Sequence, residues 1–315
     1  MAHHHNHNHS EGHHLHATPN NQGRIFIITI FLNTVFVAVE FAYGFITNST
    51  ALIADAGHNI SDILGLLLAW GAVMLTRRQP SKRYTYGLRS TSILAALANA
   101  MLLLVACGAI AWEAVHRFSQ PPAIASLTIS IVAAIGIVIN GLSALLLMKG
   151  SKGDLNIRGA YLHMAADTAV SLAVVITGAA MFYTKWYWLD PAVSLVIVLV
   201  ILIGTWGLLR ESLQLALSAV PAKIDAPAID AYLWQLDGVT DIHDLHIWGL
   251  STTETALTVH LVMPAGHPGD AFMDEIVMTL KERYSVQHST LQIELGTTDH
   301  ACSLNVTKLI QHHHH

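Results

Sequence analysis

Two short segments of this 315-residue chain set a histidine four positions ahead of an aspartate: His58-Asn59-Ile60-Ser61-Asp62 and His163-Met164-Ala165-Ala166-Asp167. At 3.6 residues per turn, four positions amount to about 40° of rotation. If both segments are helical, each His–Asp pair projects from one helix face, one turn apart. Two such helices face to face offer two imidazole nitrogens and two carboxylates. A tetrahedral set of this kind suits zinc. Two other uses fit the same residues: hydrogen-bonded pairs that brace the helices, and a proton relay without metal. Hydrolysis has less support, because the chain carries no His-Glu-x-x-His and no Gly-x-Ser-x-Gly.

The elements that must position these pairs are apolar. The chain is 53% hydrophobic and 12% charged, about half the charge of an ordinary soluble domain. This excludes a typical soluble enzyme and a disordered chain, and points to an integral membrane protein. A net charge of −5 argues against a nucleic-acid partner, which requires a basic face. Two cysteines, Cys107 and Cys302, cannot build a disulfide framework. A helix needs about 20 apolar residues to cross a bilayer. Six windows qualify: 25–46, 51–75, 91–111, 123–148, 159–183 and 191–209. His58, Asp62, His163 and Asp167 all fall inside them. A carboxylate at the centre of a spanning helix costs roughly 2.5–3.5 kcal/mol on insertion scales. Two of them, each beside a histidine, are therefore expected to serve a function. Glu40 in the first window is expected to meet a polar partner inside the bundle. Asp55 is expected to play a supporting part near the start of the second.

Lysine and arginine placement sets the orientation. With six spans, one side receives Arg24, Arg77, Arg78, Lys82, Arg83, Arg89, Lys149, Lys152, Arg158, Arg210 and Lys223, and the other receives Arg117 and Lys185. Both termini are therefore expected in the cytoplasm. The chain divides into a His-rich tail over 1–24, a six-helix transmembrane domain over 25–215, a cytoplasmic domain over 216–300 and a C-terminal tail over 301–315. The first tail holds eight of the 21 histidines and cannot bury a core, so it is expected to be disordered. It is also able to bind divalent metal.

Beyond residue 216 charge returns and the periodicity shortens. Helical spacing over 225–236 and 270–284 and alternation over 239–250, 253–263 and 286–295 predict the order α-β-β-α-β. That order fits a small α+β domain of ferredoxin-like type. Leu257, Val259, Leu261 and Met263 should share one face of the second strand, and Ala256, Thr258, His260 and Val262 the other. His243 in the first strand, His260 in the second, His288 just before the third and Glu294 within it are candidate metal ligands that neighbouring strands can gather near one edge. His246, three residues from His243, should point to the opposite face in a regular strand. His300 and Cys302 could add soft ligands from the tail.

The pieces Ala54-Asp55-Ala56-Gly57-His58-Asn59-Ile60-Ser61-Asp62, Tyr84-Thr85-Tyr86-Gly87, His163-Met164-Ala165-Ala166-Asp167, Asp190-Pro191 and His243-Asp244-Leu245-His246-Ile247-Trp248 occur in this order. Together they resemble the cation diffusion facilitator family, and within it the bacterial zinc exporters, over about residues 25–300. The resemblance implies a homodimer in the cell inner membrane, with six helices per subunit and a cytoplasmic metal-binding domain. It implies exchange of Zn2+ for protons by alternating access, with Co2+ and Cd2+ as weaker substrates. It places His58, Asp62, His163 and Asp167 in the transport site, and His243, His260, His288 and Glu294 in a regulatory zinc site. The loop from Arg77 to Arg83 is basic and holds no ligands, so the further loop site of some relatives is not expected. Two rival classes stay open: a membrane-anchored zinc sensor and an intramembrane metal-dependent hydrolase.

Overall fold

The computed structural model describes residues 19–46, 50–117, 127–184, 186 and 188–297. Six long helices come first: α1 (Pro19–Ile46), α2 (Thr50–Thr76), α3 (Thr91–Arg117), α4 (Leu127–Met148), α5 (Leu155–Thr184) and α6 (Leu189–Ala216). α1, α2, α3, α5 and α6 each cover one of the apolar windows and run beyond it; α4 covers its window from residue 127, and residues 123–126 lie outside the described residues. α5 begins four residues before its window and α6 ends seven after, because the backbone ladder continues once the apolar stretch stops. The stretches Gly23–Tyr43, Thr91–His116 and Pro191–Ala216 are long and apolar enough to cross a membrane by composition. The other three helices carry the acids, the histidine pairs or a shorter described apolar run. Large apolar side chains cover the outside of the bundle, among them Phe31, Val105, Ile203 and Trp206, each more than 60% exposed. Water would not tolerate such a surface, and lipid does.

Inside the bundle α2 packs on α1, α3 and α5, and α5 packs on α2, α3, α4 and α6. Leu66, Ala69 and Val73 of α2 meet Ala144 and Leu147 of α4 and Ile157, Ala160 and Met164 of α5 in one apolar cluster. One close approach depends on a missing side chain. A Cβ on Gly159 of α5 would fall 2.3 Å from Asn99 Nδ2 of α3. Small residues allow helix backbones to approach in this way in membranes.

The second domain has the anticipated order: α7 (Ala226–Trp234), β1 (Asp241–Gly249), β2 (Thr255–Val262), α8 (Asp270–Tyr284) and β3 (His288–Glu294). Asp225 caps α7 by accepting from the Ala228 N–H at 3.1 Å. The sheet runs β1-β2-β3, with β1 and β2 antiparallel and β2 and β3 parallel through the α8 crossover. Leu257, Val259, Leu261 and Met263 are buried against Ile229 and Leu233 of α7 and Ile276 and Leu280 of α8. The opposite face, with Thr258, His260 and Val262, is half-buried.

The turn between β1 and β2 docks on the bundle. The Thr252 N–H donates to Ser92 Oγ at 3.1 Å, and the Thr252 hydroxyl donates to Asp154 Oδ2 at 3.3 Å. Asp154 Oδ1 accepts from the Asn156 N–H at 2.7 Å and so caps the start of α5. Arg89 and Glu254 close the contact at 2.9 Å. Burial pushes the Asp154 carboxyl above the usual aspartate range, against the pull of the Asn156 and Ile157 N–H groups and the Thr252 hydroxyl.

Candidate metal centres

Two clusters of histidine and carboxylate emerge, one in each domain. In the bundle, α2 carries Asp62 and α5 carries His163 and Asp167. Asp62 Oδ1 meets His163 Nε2 directly across the two helices. His163 Nε2 lies 3.8 Å from Asp167 Oδ2, one turn along the same helix. One donor atom from each of the three residues lies within 4.8 Å of the others. Asp62 is 3% exposed. A carboxylate so deeply buried needs a cation, a hydrogen-bond donor or a proton. His58 stands one turn before Asp62 on α2, but its side chain lies outside the described residues, as does that of Asp55. Glu40 of α1 is fully buried, and its Oε2 accepts from Asn59 Nδ2 at 2.8 Å. Asn59 directly follows His58, so α1 is tied to the segment of α2 that bears the histidine.

In the second domain the donors come from three strands. β1 supplies His243, β2 supplies His260 opposite it, and β3 supplies Glu294 opposite Val262. His260 Nδ1 lies 2.9 Å from Glu294 Oε1, and His243 Nε2 lies 3.3 Å from Glu294 Oε2. The two imidazole rings meet edge to face at 5.1 Å. Two observations fit this set to a metal ion. The separations are close to the edge of a tetrahedron with ligand bonds of about 2.0–2.2 Å. The buried His243 Nε2 makes no hydrogen bond among the described residues and faces Glu294 Oε2 at 3.3 Å, so nitrogen and carboxylate oxygen converge on one point.

His288 is not gathered into this set. The parallel register pairs it with Ala256, four residues before His260, which is roughly 13 Å along a strand at ~3.3 Å per residue. Its ring meets Tyr86 edge to face at 5.6 Å instead. The sequence places His288 beside the third strand, but only the register says at which end of the cluster it lies. His246 corrects the expectation in the other direction. The pairing shifts between His243 and His246, where a bulge inserts a residue, and Asp244 takes a left-handed backbone at φ 53°. His246 then lies opposite Thr258 and His243 opposite His260. Both histidines therefore share the outer face of the sheet, not opposite faces. Asp244 was not anticipated as part of the cluster. The one signal for it was its place between two histidines in His243-Asp244-Leu245-His246. His300 and Cys302 lie outside the described residues.

Six membrane-length helices around an acid–histidine cluster, with a small sheet domain docked at one end, define a cation-handling membrane protein. Residues 26–215 match the family model described as the cation efflux transmembrane domain. Residues 221–295 match that of the cation efflux protein, cytoplasmic domain. The chain belongs to the cation efflux family, the cation diffusion facilitators that its motifs resemble. It is 35% identical to the metal cation efflux system protein CzcD of Cupriavidus metallidurans, over 91% of this chain and 92% of that one. It is 32% identical to the zinc transporter ZitB of Escherichia coli, over the whole of both chains. It is 31% identical to the cadmium, cobalt and zinc/H(+)-K(+) antiporter of Bacillus subtilis, over 94% of this chain and 99% of that one.

Proposed function

We propose that this chain is a proton-coupled zinc exporter. It binds Zn2+ from the cytoplasm at Asp62, His163 and Asp167, with His58 as the fourth ligand, and releases it on the far side in exchange for protons. The observation that carries this reading is the convergence of Asp62, His163 and Asp167 from α2 and α5 inside the bundle. The printed names of the relatives, a zinc transporter and a cadmium, cobalt and zinc/H(+)-K(+) antiporter, support the substrate and its coupling.

The chemistry of the donors supplies the coupling. Zinc requires ionised carboxylates and a histidine nitrogen with a free lone pair, so metal and proton compete for the same atoms. His163 Nε2, in contact with Asp62, is where a proton sits when the metal leaves, and Asp62 or Asp167 stabilises the resulting imidazolium. Arrival of Zn2+ from one side expels that proton, and arrival of protons on the other side expels the zinc. α2 and α5 are the helices whose relative movement opens and closes the site, because each contributes ligands. Histidine at position 58 favours Zn2+ over the larger Cd2+, with Co2+ also a weaker substrate.

The same proposal makes His243, His260 and Glu294 a zinc site in the cytoplasmic domain, with His288 outside it. The working form is a homodimer in the cell inner membrane, with both termini in the cytoplasm, as the lysine and arginine distribution indicates. Protein sealed in liposomes around a zinc-sensitive dye tests the function. Zinc should enter in exchange for protons leaving the lumen, faster under an outward-directed proton gradient than when that gradient is collapsed. Tight zinc binding without movement under any gradient would instead favour a membrane-anchored sensor.

A further inference from the structure

The bulge in β1 delivers a carboxylate to the back of a proposed metal ligand. Asp244 Oδ2 lies 3.7 Å from His260 Nε2, and Asp244 Oδ1 lies 3.2 Å from His246 Nε2. On the other side of the same ring, His260 Nδ1 lies 2.9 Å from Glu294 Oε1. The His260 imidazole therefore stands between two carboxylates, one at each nitrogen. A neutral imidazole carries one proton and one lone pair, and a metal takes the lone pair. His243 and Glu294 are on the Nδ1 side. The proton then belongs on Nε2, on the side of the ring where Asp244 Oδ2 stands at an ion-pair separation of 3.7 Å and favours it electrostatically. Histidine ligands commonly give their second N–H to a carboxylate, which fixes the tautomer and raises the basicity of the ligating nitrogen.

The backbone shows that this placement is held against a cost. Among the described residues Asp244 is one of three non-glycine residues with positive φ, a conformation that L-residues adopt only at a steric cost, smaller for aspartate and asparagine than for most. Without the bulge, strict alternation would send the Asp244 side chain to the side opposite His243. With it, the side chain reaches the outer face, between His246 and His260.

We propose that Asp244 is the positioning carboxylate of the cytoplasmic metal site: it holds the proton on His260 Nε2, so that Nδ1 presents its lone pair beside His243 and Glu294, and His246 steadies it. This rests on the reading of His243, His260 and Glu294 as a zinc site.

The test uses full-length protein with the transport site disabled by Asp62→Ala and Asp167→Ala, and reads zinc affinity, zinc stoichiometry and the ligand-field absorption of bound Co2+. Asp244→Asn retains a residue type that tolerates left-handed backbone, so the bulge survives and only the charge is lost. It should bind zinc about 10–100-fold more weakly with unchanged stoichiometry and a retained tetrahedral Co2+ spectrum. Asp244→Glu should recover part of the affinity, and His246→Gln should lose less than Asp244→Asn. Glu294→Gln in the same background separates the two ideas. If Glu294→Gln leaves zinc binding intact, the zinc-site reading fails. If it abolishes binding while Asp244→Asn matches the parent, the positioning role is overturned. Loss of a zinc equivalent in Asp244→Asn would make Asp244 a ligand, and overturns the positioning role as well.

Discussion

In the bundle, His163 and Asp167 come from consecutive turns of one helix and need only a second helix to complete their cluster. In the cytoplasmic domain, His243, His260 and Glu294 come from three strands, and their meeting depends on two registers and a bulge. The first cluster is buried among spanning helices, where a carboxylate without a cation or proton is costly. The second lies on the half-buried face of a sheet, with side chains 15–17% exposed. A site that must alternate between metal and proton gains from low dielectric, because neither can leave without a replacement. The proposed zinc site on the sheet remains open to exchange with solvent. The β1–β2 turn joins the two regions, docking on Ser92 and Asp154 at the N-terminal ends of α3 and α5. His260 lies five residues from Thr255 at the start of β2, on the order of 17 Å along the strand.

The largest expected effect comes from removing a charge in the bundle. Asp167→Asn should reduce zinc flux to background while the protein still elutes as a folded oligomer. Flux near that of the parent would remove Asp167 from the transport site. A smaller change in kind is expected from His58→Asp, which should retain flux and lower the preference for Zn2+ over Cd2+ by about tenfold, or ~1.4 kcal/mol. An unchanged ratio in parallel Zn2+ and Cd2+ flux assays would contradict the role of His58 in selectivity.

Between the two regions, Asp154 offers a test by pH. Its folded carboxyl titrates above its unfolded value, so the folded state holds its proton longer. Its contribution to stability is complete below the unfolded value and is lost as pH rises through the folded one. Asp154→Asn keeps a helix cap and should flatten that decline, measured as melting temperature against pH from acid to neutral. A parallel decline in both proteins would show that Asp154 does not set it. The smallest effect is expected at His288. His288→Ala should leave zinc stoichiometry and affinity in the cytoplasmic domain unchanged, and loss of a zinc equivalent would return His288 to the site.

The same contrast explains what the sequence made legible. An apolar window of 20 residues and a His–Asp pair at helical spacing are local properties, so the helices and the facing of Asp62, His163 and Asp167 could be anticipated. Alternation in β2 gave the buried face of Leu257, Val259, Leu261 and Met263 for the same reason. Strand register is not local. The offset of β3 on β2, which separates His288 from His260, is set by the length and packing of the α8 crossover. The bulge at Asp244 breaks the alternation on which the placement of His246 was based. A residue tolerant of positive φ between two histidines was its one trace in the sequence.

The most direct test of this division of labour is zinc flux against zinc concentration in proteoliposomes under one fixed pH gradient, with Asp62→Asn and Glu294→Gln measured beside the parent. The account predicts no flux at any concentration for Asp62→Asn, and for Glu294→Gln a retained maximal rate with a shifted half-saturating concentration. A saturable, gradient-driven flux in Asp62→Asn, together with loss of all flux in Glu294→Gln, would contradict it.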